Sequence, residues 1–248
     1  MHLGLLTASV FAQESKIVIP QFAAGSAGGL RIETTVTLVN LSTEVLNPAR
    51  ATVRTFGPDG SPLAMLRRST LGGVEAADTV QREIPGRGVA VVESYAAGGL
   101  LVGWLEVTTE DNLAVEVLYK IFDGTGNLLT VTSILPRTAV DSATLLISLA
   151  PGAGLASTVA VVNPSENNEE AAVDIVVYDE FGNRVAAGGF SLPAGSQLAR
   201  SWPELVPELN GFPSFLGSAE ITSNVPLNWL ALQQEGVQLS SRDGLPPR

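Results

Sequence analysis

Four short blocks of this sequence recur in the same order, at a nearly constant offset along the chain. A duplication of this kind divides a chain into two similar units that each form a core. We therefore expect two modules, at residues 16–137 and 138–248, each of ordinary domain size. The matching blocks are residues 35–42 with 158–165, 51–56 with 173–178, 83–86 with 191–194, and 103–109 with 217–223.

The repeated blocks have the composition of β-strands. They are rich in Val, Thr, Ile and Leu and are bounded by Gly, Pro and Asn. In residues 35–40, Val36 and Leu38 alternate with Thr37 and Val39, which is the period of a strand. We expect a single short helix, beginning at the capping-box pattern Ser201-Trp202-Pro203-Glu204. The sequence therefore predicts an all-β chain of two tandem antiparallel, immunoglobulin-like β-sandwich modules.

Three turns share one pattern, in which an aromatic residue is followed four positions later by Gly. In a hairpin, Asp or Asn caps the tight turn and Gly adopts the positive φ that the turn requires. An alternative is a calcium site at Asp123 or Asp179, or at the acidic loop of Glu166, Glu169 and Glu170. Because that loop lacks spaced Asp ligands, we expect turns and a solvated loop instead. The turns are residues 56–60, 122–126 and 178–182.

Composition excludes several kinds of chemistry. The net charge is −11, which is unfavourable for binding nucleic acid. There is no Cys, and the single His is His2 at the start of the chain, so no imidazole is expected in the folded body. A pair of carboxylates remains possible as a catalytic device. Glu106 and Glu220 occupy matching positions, and we expect both to face solvent on their strands.

The motifs together resemble a recurrent, largely uncharacterised immunoglobulin-like β-sandwich repeat module of secreted bacterial proteins. The resemblance rests on Ile19-Pro20-Gln21-Phe22, on residues 34–40, 103–107 and 178–182, and on the Leu-Pro turn at 192–195. It implies an exported spacer or surface module and carries over no catalytic residue. The second copy departs from the pattern, because Ser218 stands where the first copy has Trp104.

The first residues of the chain predict export. Residues 3–12 are apolar and are followed by the polar residues 13–15, which resembles the end of a secretory signal. We therefore interpret residues 1–15 as a signal remnant or flexible tail. No uninterrupted apolar run of about 18 residues occurs, so we expect no transmembrane helix. These features predict a secreted or cell-surface location.

Two aromatic side chains are candidates for a ligand platform. Trp202 precedes Pro203 at the predicted helix, and Tyr95 precedes a Gly/Ala-rich loop; either ring could stack on a sugar. The alternative for Trp202 is packing beneath the start of the helix. For Trp104 and Trp229, which lie on predicted strands, we expect burial in the core.

An apolar strand near the N-terminus is a candidate for assembly. Ile17, Val18, Ile19 and Phe22 lie next to the tail and could complete a sheet of another copy, which would build a filament. The alternative is that this strand pairs within its own module.

We therefore expect a non-enzymatic, exported structural or adhesive protein whose partners are other proteins or further copies of itself. A pair of carbohydrate-binding modules is the alternative, and a hydrolase with a carboxylate pair is a further one. No cofactor or metal is expected.

Overall fold

The computed structural model describes residues 15–44, 46–70, 73–96, 98–109, 113–134, 137–164, 168–236 and 238–242. Residues 1–14 of the predicted leader, and Glu166 of the acidic loop, lie outside these ranges. Strands make up 70% of the structure and helices 6%, so the predicted all-β class is confirmed. In the described part of the chain, no helix is long and apolar enough to span a bilayer.

The described residues form seventeen strands, one helix and two short 3₁₀ turns, the latter at Pro151–Ala153 and Pro207–Gly211. The strands and the helix are β1 (Ser15–Ala27), β2 (Leu30–Asn40), β3 (Ala49–Phe56), β4 (Met65–Ser69), β5 (Gly73–Ala77), β6 (Thr79–Ile84), β7 (Val89–Tyr95), β8 (Leu101–Thr109), β9 (Leu113–Phe122), β10 (Leu128–Ile134), β11 (Val140–Leu149), β12 (Leu155–Val162), β13 (Ala171–Asp179), β14 (Arg184–Leu192), β15 (Gln197–Ser201), α1 (Trp202–Leu205), β16 (Phe215–Glu235) and β17 (Gln238–Arg242).

Strands β1–β10 pair with one another, and strands β11–β17 pair with one another. We call these sets the first and the second sandwich, because each folds into two antiparallel layers. The layers are A (β1-β8-β3-β6), B (β5-β4-β7-β2-β9-β10), C (β14-β13-β16-β11) and D (β15-β12-β16-β17).

In each sandwich one long strand passes from one layer into the other. In β1, residues 15–24 pair with β8 in layer A, and residues 25–27 pair with β2 in layer B. In β16, residues 217–223 pair with β13 in layer C, and residues 228–235 pair with β12 in layer D. A strand shared in this way joins the two layers covalently at one corner.

The two sandwiches have the same pairing pattern. In the first, β3 lies between β6 and β8, and β2 lies between β7 and β9. In the second, β13 lies between β14 and β16, and β12 lies between β15 and β16. This order agrees with the repeated blocks, whereas the module boundary at residue 137 stays a prediction.

Two glycines of the repeat are required by close backbone approach. A Cβ at Gly103 would lie 1.9 Å from the carbonyl oxygen of Phe56, and a Cβ at Gly217 would lie 2.1 Å from that of Tyr178. Both distances are far shorter than any real carbon–oxygen contact. The matched glycines therefore let β8 and β16 run close to the ends of β3 and β13.

Each sandwich has an apolar core formed by alternate residues of its strands. Val36 and Leu38 face inward in the first core, and Trp229 lies in the second core, as the sequence predicts. Burying one face of each layer in this way is the main source of stability for such a fold.

A charged side chain also lies inside the first sandwich. Arg67 of β4 is completely buried, and its guanidinium donates hydrogen bonds to the carbonyl of Asp78 at 3.0 Å and to the hydroxyl of Thr55. Burial lowers the pKa of Arg67 to about 10, so the group is still charged at neutral pH. Arg67 thus connects layer B, which holds β4, to β3 of layer A and to Asp78, the residue just before β6.

Replacing Arg67 tests this connection. We expect Arg67→Ala to lower the free energy of unfolding by about 2–4 kcal/mol, because it leaves a cavity and removes donors from buried acceptors. The neighbouring Arg68 is exposed and pairs with Glu93 on the surface, so Arg68→Ala should cost less than about 1 kcal/mol. Chemical denaturation measures both, and equal effects would contradict the structural role of Arg67.

Candidate functional site

The first and second sandwiches share an apolar contact, which we call the junction. Ala160, Leu230 and Leu232, on the outward face of layer D, pack into the core of the first sandwich. Their neighbours Val159 and Ala231 point the opposite way, into the core of the second sandwich. The centre of layer D, at residues 159–162 of β12 and 228–233 of β16, is therefore buried on both faces where the two sandwiches meet.

Aromatic stacking extends the junction. The ring of Trp104 lies 4.2 Å from that of Phe56 with an interplanar angle of 18°, and Val18 and Val162 pack against the pair. Trp104 is buried, as the sequence predicts, but it lies beneath the second sandwich and outside the first core. Ser218, at the matching position of the repeat, is partly exposed on layer C. The two copies therefore differ because Trp104 is covered by the second sandwich, whereas Ser218 lies on an outer layer.

A buried amide fixes the two sandwiches relative to each other. Gln197 of β15 directs its Nε2 at the carbonyl oxygens of Pro20 and Gly103, at 2.6 and 2.9 Å, and at the Gln21 side-chain oxygen at 2.8 Å. Its backbone N–H donates to the carbonyl of Pro58 at 2.8 Å. One residue of the second sandwich thus satisfies acceptors on β1, on β8 and in the turn after β3. Nothing in the sequence around Gln197 indicates this role.

A second polar contact joins the two sandwiches, between β10 and β17. The hydroxyl of Thr132 in β10 donates to the carbonyl of Leu239 in β17, and the hydroxyl of Ser241 donates to the carbonyl of Ser133 at 2.7 Å. These bonds connect the last strand of layer B to the last strand of layer D.

The expectation that Glu106 faces solvent is wrong. Glu106 is buried on β8, where its carboxylate lies 2.8 Å from the Lys16 ammonium and 3.6 Å from the Arg54 guanidinium. Two cations compensate the charge, which is what allows a carboxylate to be buried. Glu220 is exposed, as expected, and accepts a hydrogen bond from the Tyr178 hydroxyl at 3.2 Å. The structure places the two carboxylates on different sandwiches and does not bring them together.

Trp202 does not form a platform for a ligand. It opens α1, where the carboxylate of Glu204 accepts from the backbone N–H of Ser201 at 2.7 Å, so the predicted capping box is present. The Trp202 ring is completely buried and packs with Val206 and Leu209 in the second core. Because the ring has no exposed surface, no face remains for a sugar.

Tyr95 is the remaining candidate for the platform. It is the last residue of β7 and pairs with Leu66 of β4, and its side chain is partly exposed. Tyr95 belongs to the first sandwich and Trp202 to the second, so the two predicted platform residues do not form one surface.

The predicted assembly strand is used within its own chain. In β1, Ile17 pairs with Val107, Val18 with Glu106 and Ile19 with Leu105, and Ile19 and Phe22 are completely buried. This strand supplies the first core and therefore has no apolar face left for another copy. The prediction that these residues complete a neighbouring sheet is replaced by the alternative of internal pairing.

The aspartates of the three turns act as caps. Asp59, Asp123 and Asp179 each accept a hydrogen bond, at 2.9 to 3.0 Å, from the backbone N–H two residues further on. Hydrogen bonds from Thr125 and Asn127 lower the pKa of Asp123 far below its ordinary value. Among the described residues, no cluster of three or more His, Asp or Glu side chains could hold a metal ion.

Gln197 offers a direct test of the junction. We expect Gln197→Ala to lower the free energy of unfolding by about 1–3 kcal/mol, because buried carbonyls of Pro20 and Gly103 lose a donor. Gln81 is exposed on β6, and Gln81→Ala should change stability by less than about 0.5 kcal/mol. Urea denaturation monitored by tryptophan fluorescence measures both variants, and an unchanged Gln197→Ala protein would contradict the role of this amide.

The chain matches no known family model, and none of the characterised proteins compared with it is significantly similar. The resemblance to repeat modules of secreted bacterial proteins therefore stays a prediction. What the molecule can do has to be argued from the junction and from the surfaces of the two sandwiches.

Proposed function

We propose that this chain is a non-enzymatic, exported structural or adhesive protein, in which the two sandwiches form one stiff body that presents its turns and outer strands to partners. The observation that carries this proposal is the burial of the centre of layer D, residues 159–162 and 228–233, on both faces. Packing of this kind resists bending between the units, which is the property that a spacer or surface module needs.

The small number of reactive side chains supports a non-enzymatic role. The chain has no Cys, and its one His is His2. Glu106 is neutralised by two cations, and Glu220 lies on the other sandwich. Hydrolysis by a carboxylate pair needs both carboxyl groups in one cleft, and these two carboxylates do not meet that condition.

The tip of the β13–β14 hairpin supports an adhesive role. At the corresponding turn position, the hydroxyls of Ser61 and Thr125 donate back to their capping aspartates. Phe181 occupies this position in the second sandwich and is 81% exposed. An aromatic ring held outward on a hydrogen-bonded turn is typical of a contact residue.

Paired spin labels test the stiffness of the body. Because the chain has no Cys, labels attach only at introduced positions, and Gln81 on β6 and Ala187 on β14 are exposed sites in different sandwiches. We expect Gln81→Cys/Ala187→Cys to give one narrow distance distribution by double electron–electron resonance. The pair Ala187→Cys/Glu235→Cys, within the second sandwich, is the matched control for width. A distribution much broader than this control would contradict a stiff body.

Export is tested separately. The full chain produced in a secreting bacterial host should appear outside the cytoplasm with residues 1–12 removed, because the apolar segment ends at Ala12 before polar residues. Intact mass spectrometry of the exported protein identifies the new first residue as Gln13. Retention of the whole chain in the cytoplasm would contradict the export part of the proposal.

A further inference from the structure

The outer faces of layers A and C are built from matching positions of the repeat. In each sandwich two cross-strand pairs occupy this face, at the same places and in the same register. The pairs are Phe56–Trp104 and Arg54–Glu106 in layer A, and Tyr178–Ser218 and Val176–Glu220 in layer C. The two faces can therefore be compared position by position.

In layer A this face is an interface within the chain. Val162 of the second sandwich packs against Phe56 and Trp104. Gln197 donates to the carbonyl oxygen of Gly103, the residue before Trp104, at 2.9 Å. The first copy of the repeat thus uses this face to bind another polypeptide surface.

The matching face in layer C is exposed or partly exposed, and part of it is apolar. Leu146 and Tyr178 pair with Ser218 from its two sides, and Leu216 lies two residues before Ser218 on the same side of β16. Leu146 and Leu216 are 40% and 50% exposed. We call Leu146, Tyr178, Leu216, Ser218 and Glu220 the layer C face. Neighbouring exposed apolar side chains of this kind are typical of interaction sites.

The two faces differ in how their carboxylates are compensated. Glu106 in layer A lies beside Lys16 and Arg54, at 2.8 and 3.6 Å. In layer C the matching residues are Glu220 for Glu106, Ser142 for Lys16 and Val176 for Arg54. Within the described residues, Glu220 has no ion pair and accepts a hydrogen bond from the Tyr178 hydroxyl at 3.2 Å. The layer C face therefore keeps the acid of the repeat without its cations.

A partner that covers Glu220 has to bring a cation of its own, because burying an uncompensated carboxylate is strongly unfavourable. Asp174, also exposed on β13, adds to the negative charge on this side of layer C. Arg184 pairs with Tyr178 at the start of β14, on the side of β13 away from Glu220. Residues 138–248 hold twelve acidic and four basic residues, so a cationic surface is attracted and an acidic one is repelled.

We infer that the layer C face is a docking surface for a partner polypeptide that presents Lys or Arg beside apolar side chains. The cation pairs with Glu220, whose carboxylate the Tyr178 hydroxyl holds in place, and the apolar side chains cover Leu146 and Leu216. A second copy of this chain does not fit this description, since two copies each carry a net charge of −11 and repel each other. The inference rests on the proposed function and gives its adhesive role a partner of defined chemistry.

A basic peptide provides the probe for this surface. In the extended peptide Arg-Ser-Leu-Ser-Arg-Ser-Leu, the Arg and Leu side chains lie on one side, as the inferred partner requires. Titrated into the isotope-labelled full chain, it should bind with a dissociation constant below about 1 mM and shift the NMR signals of β11 and β16 around Ser218. The same peptide with Glu in place of Arg should not bind. Absence of binding by the Arg peptide, or shifts centred elsewhere, would overturn the inference.

Two single variants separate this site from a general attraction of an acidic protein for a basic peptide. Glu220→Gln keeps the shape of the side chain and removes the charge, so the dissociation constant should rise at least about fivefold. Glu116 is exposed on β9 of layer B, and Glu116→Gln is the matched control, because it changes the net charge equally. We expect this control to change the dissociation constant less than about twofold. Equal effects of the two variants would show that the attraction is not local and would contradict the inference.

The apolar part of the face is tested in the same titration. Leu146→Ser should weaken binding of the peptide, whereas Val74→Ser, at an exposed valine of β5, should not. Sedimentation equilibrium of the chain alone identifies the other occupant: a dimer that Leu146→Ser abolishes would assign the face to a second copy and rule out the cationic partner. A failed titration leaves the spin-label and export results unchanged, so it can be told apart from failure of the proposed function.

Discussion

The outward face of layer D determines how the whole chain is arranged. Ala160, Leu230 and Leu232 would form an apolar patch on an isolated second sandwich, and the cost of exposing such a patch to water is what drives the two sandwiches together. The arrangement of the remaining contacts follows from this burial. Trp104 stacks where layer A meets layer D, and Glu106 sits under Lys16 and Arg54 beside it.

Buried polar groups give this apolar contact a single geometry. Apolar surfaces alone tolerate sliding, whereas the Gln197 amide meets the carbonyls of Pro20 and Gly103 in only one relative position. Arg67 has the same effect between layers A and B, through Thr55 and Asp78. Misaligned layers would leave these groups without partners, and that penalty selects one packing arrangement.

The local features of the fold could be predicted from the sequence. Alternation in residues 35–40 indicates which side chains are buried, and the aspartates of the turns cap as their spacing predicts. The features that were missed depend on long-range contacts. Glu106 has the sequence pattern of a surface residue, yet it is buried beside the cations of Lys16 and Arg54, and Gln197 lies 94 residues from Gly103. Similarly, no local pattern shows whether the ring of Trp202 turns inward or outward.

Strand β10 illustrates the same distinction. The absence of charge in the strand can be read in the sequence, but its position at the rim of layer B follows only from the pairing of β9 with β2 and β10. The predicted assembly strand β1 has a similar apolar sequence, yet it is occupied inside its own sandwich. Composition alone therefore does not show where in the sheet a strand lies.

The length of β16 has a mechanical consequence. Its 21 residues hydrogen-bond to β11 and β13 in one layer and to β12 and β17 in the other. A tensile load applied along this strand is shared at once by ladders in both layers, which must shear together rather than unzip one bond at a time. A load along this strand would therefore meet more resistance than a load on a strand that is held by a single ladder.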